Sequence, residues 1–236
     1  GRIASVNNTR KITSAMKMVA SAKLHKAQAA IESMLPYERR LHHILTDFMS
    51  NCTEVTSPFI VKREVKKVAV VVFASNTSLC GGFNANVIRH LVDLLAEYKP
   101  LGLENILVFP VGKKVADAVR KLGFRIEGDF QHMADKPSYQ EAADLAADLM
   151  KRFLHGDVDK VELLYNHFKS TASQILTRET YLPIDLNNEK KEEERTIDYI
   201  LEPSAEELMQ EMLPKVLRMK MFTVLLDSNA AEHAAR

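Results

Sequence analysis

Residues 24–48, LHKAQAAIESMLPYERRLHHILTDF, decide the fold of this chain. Apolar residues recur in this stretch at spacings that alternate between three and four, which is the heptad seam of a coiled coil. The seam consists of Leu24, Ala27, Ile31, Met34, Glu38, Leu41, Leu45 and Phe48, and only Glu38 among them is polar. Because one helix cannot bury its own apolar stripe, the pattern predicts a helix that packs against a partner.

The same helix is predicted to extend back to the start of the chain. Residues 1–50 contain no glycine after Gly1, a single proline at Pro36, and many good helix formers. At 1.5 Å per residue they predict one helix of about 75 Å, kinked at the proline. Its first part carries apolar residues that drift off the strict seam, namely Ile3, Val6, Ile12, Met16 and Val19.

Charge is distributed unevenly along the chain. Residues 1–45 hold eight Lys and Arg residues against two Glu, while the formal net charge of the whole chain is only +1. A basic arm on a mildly acidic body favours an acidic partner, which can be nucleic acid, lipid or protein. Nucleic acid is disfavoured, because Tyr37 and Phe48 are the only aromatic residues among the first fifty and provide no stacking platform for bases.

A second long helix is predicted at the other end of the chain. Ser204 is a suitable N-cap, and Glu207, three residues later, completes a capping box. Apolar residues then continue at helical spacing up to Arg236, the last residue. Both stripes are buried most simply if the two end helices pair antiparallel. The segment 187–195 contains no apolar residue and is predicted to be a solvated surface loop.

The middle of the chain alternates strand and helix signals. Strands are predicted at 67–74, 105–111, 124–126, 161–168 and 174–184, and helices at 83–98, 113–122 and 139–154. The last two strands are joined by a link too short for a parallel crossover, so they should be antiparallel. The predicted fold class is α/β, with a mixed, mostly parallel sheet, helices on both of its faces, and an antiparallel coiled coil formed by the N- and C-terminal helices. The predicted domains are 1–55 (N-terminal helix), 66–201 (globular α/β domain) and 202–236 (C-terminal helix).

Membrane and metal signals are weak. No apolar run approaches the ~18 residues needed to cross a bilayer, and the first residues lack the apolar core of a signal peptide. We therefore expect any membrane connection to run through partners. The two cysteines, Cys52 and Cys80, have no CxxC pairing or nearby histidine cluster, which favours free thiols and no metal site.

One glycine-rich turn, Cys80-Gly81-Gly82-Phe83, follows the first predicted strand. A dinucleotide-binding fold would carry GxGxxG there, but only the glycine pair is present, and no GxxxxGK[ST] occurs anywhere. We predict a tight turn that needs a positive φ, with no catalytic residues and no cofactor. A thiol nucleophile at Cys80 is conceivable beside a helix N-terminus, although no histidine is close in sequence.

Three blocks resemble the gamma subunit of F-type, bacterial-like ATP synthases. The most specific is IASVNNTRKITSAMKMVASAK at residues 3–23, which resembles the N-terminal helix of those subunits. The second is LCGGFN at residues 79–84. The third is Glu202-Pro203 leading to EHAAR at residues 232–236. The blocks occur in family order and lie at both ends and in the middle, so the resemblance covers essentially the whole chain.

The resemblance implies a non-catalytic rotor shaft that couples proton flow through the membrane sector to ATP synthesis or hydrolysis. Its implied partners are the alpha and beta subunits of the catalytic hexamer, the epsilon subunit and the membrane ring subunits. It implies a peripheral location on the cytoplasmic face of the cell (inner) membrane. Partner contacts are implied within the N-terminal block, at Arg10, Lys11, Ile12, Met16, Lys17 and Val19.

Two departures from the family pattern stand out. Ser75-Asn76-Thr77-Ser78 replaces the acidic residue, basic residue and glycine that usually precede Leu-Cys-Gly. Both ends also look cut relative to the family, which would leave about 17 residues of the first helix without a helical partner. We therefore expect those turns to be held by a neighbour or to fray, and their apolar residues to favour self-association or docking in a larger complex. The alternative reading is a nucleotide-binding α/β enzyme with helical oligomerisation arms.

Overall fold

A computed structural model describes residues 1–51, 56–185 and 205–236. Cys52, the loop at 187–195, the Ser204 cap and the predicted domain boundaries at 55 and 201 lie outside the described residues, so these remain predictions. In chain order the elements are α1 (Arg2–Asn51), β1 (Val68–Phe73), α2 (Phe83–Tyr98), β2 (Ile106–Val111), α3 (Lys113–Leu122), β3 (Arg125–Ile126), α4 (Gln131–Asp135), α5 (Tyr139–Leu154), β4 (Lys160–Ser170), β5 (Ser173–Leu182) and α6 (Ala205–Ala235).

The sheet has five strands in the order β3-β2-β1-β4-β5. All neighbours are parallel except β4 and β5, which form an antiparallel hairpin. The prediction of a mixed, mostly parallel sheet is therefore confirmed. The hairpin turn is tighter than predicted, because Ser170 pairs with Ser173 and only Thr171 and Ala172 lie between the strands.

Helices cover both faces of the sheet, as predicted. On one face Val68, Val70 and Val72 of β1 pack in one core cluster with apolar residues of α2 and α3. On the other face Ala69, Val71 and Phe73 pack in a larger cluster with residues of α1, α4, α5 and α6. All six residues of β1 are buried, which explains why its sequence is a continuous apolar run rather than an alternation.

The two end helices pair antiparallel, as predicted. Leu24 and Ala27 of α1 form a cluster with Ala230 near the end of α6, whereas Leu41 and Leu45 lie with residues 216–219 of α6. Every seam residue is buried or half-buried. The helix α1 runs through Pro36 without a break, and the kink there stays a prediction. No helix in the described parts of the chain is long and apolar enough to span a membrane.

Candidate partner-contact surface

The first five turns of α1 are exposed along their whole length. Every residue from 1 to 19 is exposed, and Ala20 is the first buried residue of the helix. Ile3 is 81% exposed and Ile12 is 62% exposed, values typical of polar side chains. The six predicted contact residues all lie within this stretch, so each of them is exposed, and their contact with a partner stays a prediction.

Three of the six, Ile12, Met16 and Val19, share one face of α1. Their spacing of four and three places them one above another on successive turns. They line a cleft of about 480 Å³ whose other wall is formed by α6, through Glu232, His233 and Arg236. Met16 is the least exposed of the three at 38%, because it lies deepest along this wall. This face is an apolar strip with a polar wall opposite it.

The basic residues point elsewhere. Arg10 and Lys17, seven residues apart, line a shallow groove with Val6 on the opposite side of the same helix. Lys11 falls between the two faces and lines neither. None of these three basic side chains forms an ion pair with another residue in the described parts of the chain. The six residues therefore form an apolar face and a basic face on one exposed rod, rather than one patch.

The polar wall of the cleft holds two buried titratable groups. Glu232 accepts hydrogen bonds from Arg236 Nε at 3.0 Å and Nη2 at 2.8 Å. Burial raises the pKa of Glu232, and the Arg236 interaction opposes that rise. Burial, aided by the positive charges of Lys23 and Arg236, lowers the pKa of His233 to about 4, with Asp135 opposing. The imidazole of His233 is therefore neutral at physiological pH.

Arg236 also ties the cleft to the loop between β1 and α2. Its Nη1 donates to the Ser78 carbonyl at 2.7 Å and its Nη2 donates to Thr77 Oγ1 at 2.6 Å. Asn76 in the same loop accepts from the Lys113 N–H at 2.8 Å and donates to the Gln131 carbonyl at 2.8 Å. The Ser75–Ser78 departure thus builds a loop held by neutral hydrogen bonds to α3 and α4, and by charge-assisted hydrogen bonds from Arg236, which directly follows α6.

The glycine pair forms a turn, as predicted, but only Gly81 has a positive φ, of 57°. Leu79, two residues earlier, also has a positive φ, of 66°, which the sequence did not predict. Cys80 is 2% exposed, and its Sγ accepts from Asn84 Nδ2 at 3.1 Å. A buried thiol in such contacts is poorly placed to act as a nucleophile. Within the described residues, no cluster of three or more metal-ligating side chains occurs.

An exposed helical rod rooted in an α/β domain is the architecture of a mechanical or scaffolding subunit. Comparison with known proteins shows which family within this class the chain resembles. A family profile described as ATP synthase matches residues 1–236. The ATP synthase gamma chain of Phocaeicola vulgatus is 79% identical over 238 residues, covering 100% of this chain and 82% of that protein. That of Bacteroides thetaiotaomicron is 59% identical, covering 100% and 83%.

The chain therefore belongs to the ATP synthase gamma-chain family. It is a non-catalytic shaft subunit, which sets aside the enzyme alternative, and it associates peripherally with the membrane as part of its complex. Its fold is similar to that of a chain in the central stalk and c-ring structure of Tetrahymena thermophila mitochondrial ATP synthase. That likeness has a TM-score of 0.64 and 21% identity, and covers 95% of each chain.

Proposed function

We propose that the exposed first turns of α1 are the part of the shaft that the alternating alpha and beta subunits grip. The observation that carries this proposal is the uninterrupted exposure of residues 1–19, with an apolar face and a basic face on one rod. Ile12, Met16 and Val19 supply apolar contact. Arg10, Lys11 and Lys17 supply positive charge for an acidic partner segment, which steers and orients docking more than it adds affinity.

The globular domain carries the remaining partner contacts in this proposal. It lies against the epsilon subunit and the membrane ring, on the cytoplasmic face of the cell membrane, and turns with the ring. An asymmetric shaft then favours a different conformation of each catalytic beta subunit at each orientation. Every tenfold change in nucleotide affinity requires about 1.4 kcal/mol of differential contact energy. Two chemically different faces on one helix provide such an asymmetry.

Exchanging Met16 for Lys tests the apolar face. The substitution places a charge in the cleft, and we expect it to lower the ratio of ATP-driven ion pumping to ATP hydrolysis in the reconstituted complex. Met18→Lys is the matched control, because Met18 is 66% exposed and lies outside the cleft. Unchanged coupling in Met16→Lys, or an equal loss in both variants, would contradict a contact through this face.

Nucleotide binding provides a second test of the mechanical role. The turn at Gly81 and Gly82 contains no phosphate-binding loop, so we expect the isolated chain to bind ATP with a dissociation constant weaker than about 10 μM. Isothermal titration calorimetry measures this directly. Tighter binding would show that the chain does more than transmit motion.

A further inference from the structure

The end of the β4–β5 hairpin lies where the coiled coil leaves the globular domain. Phe168, near the end of β4, packs against Leu24 and Ala27 of α1 together with Ala230 of α6. The same ring also packs against a second cluster that contains Cys80 and Phe83 of the domain. One side chain of the hairpin therefore packs against two clusters that together contain residues of both shaft helices and of the domain.

A carboxylate of α6 holds the backbone of this hairpin. Asp227 Oδ1 accepts from the Phe168 N–H at 2.7 Å, and Asp227 Oδ2 pairs with His167 Nδ1 at 2.6 Å. The Asp227 side chain is 17% exposed and that of His167 is 48% exposed, so the hydrogen bond to the Phe168 N–H is the better shielded of the two contacts. Both oxygens of one carboxylate are used, so the hairpin is fixed in direction as well as in distance.

A second tie from α6 reaches a different part of the domain. Asn229 Nδ2 donates to the Ala134 carbonyl of α4 at 3.1 Å. Residues 227 and 229 are two positions apart, so their side chains leave α6 in nearly opposite directions. Rotation of α6 about its own axis would stretch one tie or the other. In contrast, Leu24 and Ala27 of α1 meet the domain at this level through apolar contacts, which have no preferred direction.

We propose that Asp227 is a positioning residue of the rotor, which locks α6 in rotational register on the β4–β5 hairpin so that turning of the globular domain passes into the shaft without slip. The inference rests on the proposed function, because it assigns a torque path within the shaft. At the level of the hairpin, it makes α6 the helix held by polar ties, while α1 contacts the hairpin there through apolar side chains. Asp227 contacts no nucleotide and acts only through the hairpin.

The test compares three variants in the full reconstituted complex. Asp227→Ala removes both hairpin bonds. Asp227→Asn keeps an oxygen for the Phe168 N–H and an amide opposite His167. Asp117→Ala is the matched control, since the half-exposed side chain of Asp117 pairs only with Arg120, within α3 and away from the hairpin. The readouts are the ratio of ATP-driven ion pumping to hydrolysis, and amide hydrogen exchange at Phe168, which reports local release of the hairpin.

We expect Asp227→Ala to speed exchange at the Phe168 amide by about tenfold or more, since a hydrogen bond to a charged group is lost. The coupling ratio should fall about fivefold or more, the lower end of typical coupling between sites. Asp227→Asn and Asp117→Ala should stay within about twofold of the parent in both readouts, because neither abolishes the hairpin bond. Where Asp227→Ala prevents assembly, Asp227→Ser, whose hydroxyl is too short to reach both hairpin groups, takes its place.

Faster exchange with an unchanged coupling ratio would make Asp227 a structural residue only and overturn the proposal. Equal loss of coupling in Asp227→Ala and Asp117→Ala would overturn it as well. The proposed function fails differently, because a parent complex that hydrolyses ATP without pumping ions refutes the shaft role before any variant is compared.

Discussion

Residues 2–19 belong to the first end helix and residues 216–235 to the second, yet the two stretches differ sharply in exposure. All residues of the first stretch are exposed, whereas no residue from 216 to 236 is exposed. Ala230 and Ala231 are completely buried between the domain and α1. Helix propensity is enough to explain the shape of both stretches, but only packing stabilises a helix in a protein. The end of α6 is held by its own chain, and the start of α1 is available to another.

The largest expected effect is a difference between the two stretches in how much a substitution changes the free energy of unfolding. Leu213 of α6 is 0% exposed, and Leu213→Ala should lower the free energy of unfolding by about 2–5 kcal/mol through lost burial and a residual cavity. The corresponding change in the exposed stretch, Ile3→Ala, should alter it by no more than about 0.5 kcal/mol. Chemical denaturation of the isolated chain measures both. A comparable loss from Ile3→Ala would mean that the first turns of α1 are packed after all.

Self-association is the next expected effect. Burying one aliphatic side chain stabilises an association by about 1.5–3 kcal/mol. Association itself costs several kcal/mol, so the exposed stretch should support weak self-association of the isolated chain. Light scattering over a concentration series should show an increase in mean mass. A double variant, Ile3→Ser with Ile12→Ser, removes two exposed apolar groups from this stretch and should abolish the increase. A strict monomer at all concentrations would contradict this expectation.

The free energy of unfolding should depend on pH through His233, which is buried at the end of α6. The pKa of His233 is lowered from 6.5 to about 4 in the folded chain. As the pH falls through this interval, the unfolded chain binds a proton that the folded chain does not, so the free energy of unfolding decreases. His233→Gln should reduce that acid loss by about 1–2 kcal/mol after solvent screening.

Glu232, whose pKa is raised, has the opposite dependence and remains in the His233→Gln variant. His25→Gln, at an exposed position of α1, serves as the control and should leave the acid limb of the stability curve unchanged. An identical acid limb in the parent and in His233→Gln would argue that the imidazole is hydrated.

The smallest expected effect concerns the basic face. Lys17 is exposed and unpaired within the described residues, so Lys17→Ala should change the stability of the isolated chain by no more than about 0.5 kcal/mol. Its effect should appear in the assembled complex, as a slower, more salt-sensitive association with the acidic partner. A large loss of stability in the isolated chain would show that Lys17 has a role within its own fold.

Most of the fold was predictable because its signals are local. The bounds of α2, α3 and α5 match the prediction, since each helix has a strong apolar face and α3 and α5 have clear ends. Gly123 adopts a left-handed conformation after α3, and Ser138 Oγ accepts from the Glu141 N–H before α5. The five-residue helix α4 was missed, because one turn and a half shows no periodicity. The β4–β5 pairing extends further toward the hairpin turn than the sequence predicts, to Ser170 and Ser173, because the residues next to the turn are polar and give no strand signal.

The candidate site was predicted less completely. The N-terminal block predicted a contact segment that the structure leaves exposed, and that contact stays a prediction. The block also grouped residues that lie on different faces of α1, and helical spacing alone could have separated Ile12 from Arg10. The polar wall of the cleft could not be predicted from the sequence, because Glu232 and His233 lie more than 200 residues away from Met16 along the chain. The tie between Asp227 and the hairpin joins residues 60 positions apart and leaves no local pattern. Contacts of this kind are created by the fold and carry no sequence periodicity.

The pairing of Leu24 with Ala230 also sets the order in which the chain can be completed during synthesis. The apolar seam of α1 leaves the ribosome first, but its partner follows roughly 200 residues later, about 10–40 s at 5–20 residues per second. Throughout that interval the sheet can form around β1, β2 and β4, while the seam has no α6 to cover it. The nascent chain is therefore most prone to aggregation before α6 is made, and the emergence of α6 is the event that ends this exposure.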